Sequence, residues 1–198
     1  MPEKLEKDIT GVILVGGKSR RMGRDKAFLR VAGMPLFEIT LDLFRDNFAS
    51  VMLVGNREER FAEYGLPVLP DIFPGSSLGG LYTGLYHART DFVFVSSCDL
   101  PFPSALVLRH LCSLRHGFDA VVPMTDHGYE PLFALYSKSC LGPIKAQLET
   151  GEFCAYAYYP QIRVRYVQPE ELAPLDRDGR AFMNLNTPDE YAKIGDEP

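Results

Sequence analysis

The chain has 198 residues, enough for one domain with a sizeable core. Its 46% hydrophobic and 24% charged content is ordinary for a globular protein. A formal net charge of −5 argues against a general nucleic-acid or anionic-membrane binder, so any basic cluster is a local feature.

Residues 1–8 are charged and polar, without the apolar core of a secretory signal, and read as a loose end. The longest apolar runs are strand-sized and fall short of a membrane span. Cys98, Cys112, Cys140 and Cys154 lie far apart, with no C-x-x-C or Cys/His cluster, so neither zinc nor a disulfide framework is expected. Reduced thiols and a cytoplasmic location are the default.

Thr10 to Val15 reads as a buried first strand. It runs into Gly16-Gly17-Lys18-Ser19-Arg20-Arg21-Met22-Gly23-Arg24-Asp25-Lys26. Two glycines let the backbone turn at the strand's end and approach a ligand, and a hydroxyl and cations follow at once, which is the make-up of a phosphate cradle. The Gly17-Lys18-Ser19 triplet is not a Walker A loop, because the glycine required five residues before the Gly-Lys pair is Val12. Pro35 suits a first helical position, and Phe37, Leu41, Phe44 and Phe48 mark one buried helix face.

Val51 to Val54 is the second strand, closed by Gly55-Asn56-Arg57 and followed by a short helix over about 57–64. A short strand at Pro67 to Pro70 ends at Asp71. The glycine-bearing loop Pro74 to Gly80 enters a helix at about Leu78 to Ala88. Asp91 to Ser97 is the most strand-like run in the chain and ends in Cys98-Asp99-Leu100-Pro101-Phe102. A carboxylate at the C-terminal end of a central strand lies where open α/β sheets bind ligands, and a helix N-cap is the structural alternative for Asp99.

A helix over about 103–115, a strand at Asp119 to Met124 and a strand-like Pro131 to Tyr136 follow. His127 and Glu130 fall on the loop between these strands, His127 as an exposed loop residue. Leu141, Ile144 and Leu148 mark a helix face, Phe153 to Tyr159 has no clear assignment, and Ile162 to Val167 reads as a half-exposed edge strand. Residues 169–180 are polar, with Asp176 to Arg180 as a mobile loop. Thr187 and Glu190 fit a capping box with Pro188 at the first helical position. The alternation implies an α/β three-layer sandwich with a Rossmann-like, mostly parallel sheet, in a single domain over 1–198.

The segment Leu14 to Lys26 resembles the L-A-G-G-x-S-x-R-M-G-x-D-K signature of the nucleotidyltransferases that build sugar nucleotides and pterin dinucleotide cofactors, with Val15 in place of alanine. Asp25-Lys26 resembles the molybdenum cofactor guanylyltransferase branch, where sugar-phosphate and isoprenoid relatives carry Pro-Lys. Cys98 to Phe102, Gly128 to Tyr136 and Phe182 to Glu190 resemble three further family segments in the family's order, while Ser76-Ser77 depart from its G-P-L-x-G loop.

The resemblance implies transfer of GMP from GTP to the terminal phosphate of molybdenum-bearing molybdopterin, with release of pyrophosphate. It implies Mg2+ as cofactor, held by Asp99. Lys26 and Arg21 are expected to join Asp99 in catalysis, and Leu14, Val15, Gly16, Gly17, Lys26, Asp71 and Asp99 to bind GTP. The half up to about residue 100 would hold the nucleotide and the remainder would help bind the pterin, with Asn184 and Asn186 as candidates. Apo-molybdoenzymes are possible receiving partners. The rivals are a cytidylyltransferase acting on the same pterin, a sugar-phosphate nucleotidyltransferase, and a non-catalytic nucleotide-binding module that delivers cofactor.

Overall fold

A computed structural model describes residues 6–16, 26–56, 58–185, 190–191 and 194, with the side chains of Lys26 and Glu58 outside the description. The elements in chain order are β1 (Glu6–Leu14), β2 (Arg30–Val31), β3 (Met34–Pro35), α1 (Leu36–Asn47), β4 (Phe48–Val54), β5 (Val68–Leu69), α2 (Ser77–His87), β6 (Phe92–Ser97), α3 (Ala105–Ser113), β7 (Ala120–Thr125), β8 (Gly128–Tyr129), β9 (Phe133–Ser137), α4 (Leu141–Glu149), β10 (Val164–Val167) and α5 (Pro169–Leu172).

The main sheet runs β10-β7-β9-β6-β1-β4-β5, with β8 paired onto β7, and β2 and β3 form a separate ribbon. β6, β1, β4 and β5 are mutually parallel, β10 is parallel to β7, and β9 runs antiparallel to both of its neighbours. This is the mostly parallel α/β fold that the sequence pattern implies. The chain moves from β1 to β4 on one side and later places β6 on the other, so the end of β1 is a topological switch point.

The sheet is covered on both faces because its central strands are apolar on both. Ile9 and Ile13 of β1 and Phe94 of β6 pack with Phe37, Leu41 and Phe44 of α1 and Val107, Leu108 and Leu111 of α3. Val12 and Leu14 of β1 and Val93 and Val95 of β6 pack with Leu78, Leu81 and Leu85 of α2 and Ile144 of α4. A smaller cluster of Leu29, Val31, Leu36, Leu185 and Ile194 ties the ribbon to the C-terminal segment. Tyr191 Oη donates to Arg30 O across the same junction, at 2.9 Å. Among the described residues, no helix is long and apolar enough to cross a membrane.

Several local expectations are corrected. Glu6 to Asp8 belong to β1 and are not a loose end. Pro35 lies in β3 and precedes α1 as its N-cap. Phe48 begins β4, so the helical stripe continues through a strand residue that packs on the same face. The helix expected over 57–64 is instead two 3-10 turns, Glu58–Arg60 and Ala62–Tyr64. Residues 169–180, where the polar pattern reads as loop, carry the short helix α5 and a hydrogen-bonded turn. Glu171 and Gln168 form a capping box on α5, and Asp176 accepts from Arg180 N and Ala181 N, both at 3.1 Å. Phe153 to Tyr159 forms turns leading into the 3-10 turn Tyr159–Gln161. Ile162 to Val167 supplies β10, an edge strand as its half-exposed pattern implies. Thr187 and Pro188 lie outside the described residues.

Candidate active site

The ligand-facing edge is built where β1, β4, β5 and β6 end together. Val15 N donates to Val54 O at 2.9 Å, and Gly55 N donates to Leu69 O at 2.9 Å. The ends of β1 and β4 press so close that a methyl group on Gly55 would stand 2.9 Å from Gly16 N and 3.1 Å from the Val15 carbonyl carbon. Only glycine fits there. Val15 N–H is therefore spent on the sheet, and the main chain first turns free of it at exposed Gly16. Leu14 is buried, and its side chain reaches the start of α2 beside Gly80.

Asp71 occupies the angle between these turns. A methyl group on Gly16 would stand 3.5 Å from its Oδ2, and one on Gly80 would stand 3.6 Å from its Oδ1. The carboxylate is half-buried between the β1 turn and the first turn of α2. Its main chain is braced from both sides. Asn56 Oδ1 accepts from Asp71 N at 3.1 Å, and Thr83 Oγ1 accepts from Ile72 N at 2.9 Å. Burial raises the Asp71 carboxyl above the ordinary carboxylate range. Asn56 thus serves as a brace rather than only as a turn residue.

Helix α2 starts under this carboxylate because Ser76 caps it, its hydroxyl accepting from Gly79 N at 3.1 Å. A methyl group on Gly79 would lie 1.8 Å from Phe73 O, so the loop and the helix abut backbone to backbone. Gly79 and Gly80 set the distance between α2 and the Asp71 segment.

Asp99 follows β6 at the same edge and is partly buried. The N-cap of α3 is Ser104, whose hydroxyl accepts from Val107 N at 3.3 Å, so the capping alternative does not fall to Asp99. Leu185 N donates to Asp99 O at 3.0 Å, which brings Asn184 next to the Asp99 segment. Asn184 Nδ2 itself donates to Phe182 O at 3.4 Å. Beside them, the Arg180 guanidinium lies over the Phe102 ring, 3.5 Å from its centre. Lys26 opens the 3-10 turn Lys26–Phe28, and its side chain is outside the description. Gly17, Arg21 and Asn186 lie outside the described residues.

The structure therefore gathers Leu14, Val15, Gly16, Asp71, Asp99 and Asn184 along one edge of the sheet. Among the described residues, no three His, Cys, Asp or Glu side chains cluster as a metal cage. A magnesium ion shared with substrate phosphates needs only one or two protein carboxylates, so an Asp99 site is compatible with this donor set.

The sequence profile of the MobA-like NTP transferase domain matches residues 11–162. A protein of Pelotomaculum thermopropionicum named probable molybdenum cofactor guanylyltransferase is 37% identical over 185 residues, covering 93% of this chain and 90% of the relative. The molybdenum cofactor guanylyltransferase of Desulfosudis oleivorans is 33% identical over 188 residues, covering 93% of each. The crystal structure of molybdopterin-guanine dinucleotide biosynthesis protein A from Archaeoglobus fulgidus superposes with a TM-score of 0.81 at 28% identity, covering 94% of this chain and 96% of that one.

Proposed function

The chain belongs to the MobA-like NTP transferase family, and from that membership we propose that it is a molybdenum cofactor guanylyltransferase. It transfers GMP from GTP to the terminal phosphate of molybdenum-bearing molybdopterin and releases pyrophosphate. The observation that carries this reading is the likeness, over 93% of the chain, to relatives that bear this name. The site geometry supports it, because a carboxylate stands on either side of the turn that ends β1.

The acceptor phosphate monoester is mostly ionised at neutral pH, its second pKa being about 6. The attacking oxygen therefore needs no general base. The barrier is repulsion between an anionic attacker and an anionic triphosphate, and it is lowered by positioning and charge neutralisation. Gly16 and Gly17 offer main-chain groups to the nucleotide at the end of β1. Asp71 accepts from guanine N1–H and the 2-amino group, a pairing that cytosine cannot reproduce. Lys26 and Arg21 neutralise the triphosphate and then the departing pyrophosphate. Asp99 holds Mg2+, which when bound lowers the negative charge on the phosphate oxygens. Residues beyond about 100, with Asn184 and Asn186, receive the pterin. The reaction is placed in the cytoplasm, where GTP and the apo-molybdoenzymes that receive the product are met.

The test is pyrophosphate release with Mg2+ and metal-bearing molybdopterin, using GTP or CTP in turn. Release that needs the pterin and is confined to GTP is expected. Release with CTP alone would reassign the base, and GTP binding with no release on any acceptor would turn the protein into a carrier.

A further inference from the structure

The sheet's ligand-facing edge continues past Asp99 to a group of tyrosines that the chemistry above does not use. Ser97 N, two residues before Asp99, donates to Leu132 O at 3.0 Å. That bond joins the end of β6 to the segment carrying Tyr129. Tyr129 lies on β8 opposite Met124, at the C-terminal end of β7. Its ring is stacked on Tyr166 of β10, with centres 5.2 Å apart and planes 26° apart. It meets Tyr156 edge-on at 5.3 Å and Tyr159 at 5.8 Å. Tyr129 and Tyr156 keep 37% and 46% of their surface exposed.

The platform is fixed from beneath. Tyr159 Oη and Tyr136 Oη are hydrogen-bonded at 2.8 Å, and Tyr136 Oη donates to Pro131 O at 2.9 Å. Thr125 Oγ1 donates to Glu130 Oε1 at 3.1 Å, and Glu130 N donates to Pro123 O at 3.0 Å. The segment Glu130 to Leu132, directly after Tyr129, is thereby pinned to β6, β7 and β9. Rings held rigidly and left half open are suited to stacking a planar heteroaromatic ligand, since little side-chain entropy remains to be lost.

We propose that the face of Tyr129 and Tyr156 seats the pterin ring of the acceptor by stacking, an inference that rests on the guanylyltransferase reading. In the sheet order, β7 stands two strands from β6, on the side away from β1 and Asp71. Tyr129 sits on β8, which pairs with β7 on the side that β9 occupies, and Tyr166 sits on β10 beyond β7, so at about 4.8 Å per strand the rings lie about 5–15 Å to the side of β6 and Asp99. The acceptor's phosphate and its pterin are separated by a methylene and a pyran ring, a span of that order. Guanine at Asp71, the reacting phosphates at Asp99 and the pterin at Tyr129 then follow one another along a single edge.

The test compares wild type with Tyr129→Ala, Tyr129→Phe and Tyr156→Ala. The dissociation constant for metal-bearing molybdopterin is read by equilibrium dialysis without nucleotide, and the KM values for molybdopterin and GTP by turnover. Tyr129→Ala is expected to weaken molybdopterin about 5- to 150-fold in both readouts, the range found when one stacked base loses its aromatic partner. KM for GTP stays within about twofold, and Tyr129→Phe, which keeps the ring, stays near wild type. Unchanged molybdopterin binding in both alanine variants overturns the platform even while wild type transfers GMP. If Tyr129→Ala does not fold, half-exposed Tyr156→Ala decides by the same dialysis. A wild type that binds molybdopterin through Tyr129 yet transfers nothing from GTP overturns the functional reading and leaves the platform standing.

Discussion

Replacing Asp71 with asparagine separates the cost of this carboxylate from its use. The side chain is wedged between Gly16 and Gly80, with its oxygens 3.5–3.6 Å from where methyl groups on those residues would stand. An amide of the same shape fits without repacking, and the brace to Asn56 is unaffected because it uses the Asp71 main chain. Burial raises the Asp71 carboxyl, so the folded protein holds that proton to higher pH than the unfolded chain does. The resulting contribution to stability therefore falls as pH rises from the unfolded value, about 3.9, through the folded one. At pH 7 nucleotide-free Asp71→Asn should melt above wild type, and the gap should close as the pH is lowered toward 4.

Binding should move the other way. A hydrogen bond to a charged group contributes about 1.5–3 kcal/mol, so the variant should bind GTP roughly 10- to 150-fold more weakly. Inosine triphosphate lacks the 2-amino donor. Wild type should prefer GTP to it about tenfold, and Asp71→Asn should show little preference. Calorimetric titration of both nucleotides into both proteins, with melting curves at two pH values, reads every term. A variant that melts below wild type at pH 7 and still prefers GTP tenfold would refute the placement of Asp71 on the guanine edge.

Other perturbations follow from the same geometry. Asp99→Ala should reduce turnover by at least about a hundredfold while the melting temperature moves little, and normal turnover would remove Asp99 from the reaction. Gly79→Ala puts a methyl group 1.8 Å from Phe73 O, so it should cost about 3 kcal/mol or more in urea unfolding and weaken GTP as α2 backs away from Asp71. A wild-type denaturation midpoint for that variant would contradict the close packing. Away from the site, Asp119 is held to a pKa of about 2, first by hydrogen bonds from the Arg163 guanidinium and then by Arg163 N. Its stabilisation is present above the unfolded value, about 3.9, and lost as pH falls toward 2. Arg163 is 70% exposed, so screening limits the effect of Asp119→Asn at pH 7 to about 1 kcal/mol, and a variant as stable as wild type would show the pair contributes nothing.

Much of this edge could be read from residue order because the chemistry is local there. An apolar run ending in glycines marks β1 and its turn, and a carboxylate directly after a Phe-Val strand marks Asp99. The errors arose where neighbouring elements share a face. Phe48 continues the periodicity of α1 because β4 packs onto the same cluster, and period alone does not register the change of backbone. Helix α5 leaves little trace in the sequence because it is four residues long and capped by Gln168 rather than by a serine, threonine or aspartate. The role of Gly79 depends on which carbonyl it faces, and Phe73 O is brought there only by the loop's path. The tyrosine platform was invisible for a related reason. Tyr129, Tyr156 and Tyr166 are scattered in sequence and meet only because β10 pairs with β7 and β8 folds back onto the same strand.

The most direct measurement follows the label of GTP carrying radioactive phosphorus at the α position, with Mg2+ and metal-bearing molybdopterin. Guanylyl transfer requires the α-label to appear in a pterin dinucleotide, one label per pyrophosphate released. Label that stays in GTP, or appears as free GMP without a pterin product, would contradict the assignment of this chain as a molybdenum cofactor guanylyltransferase.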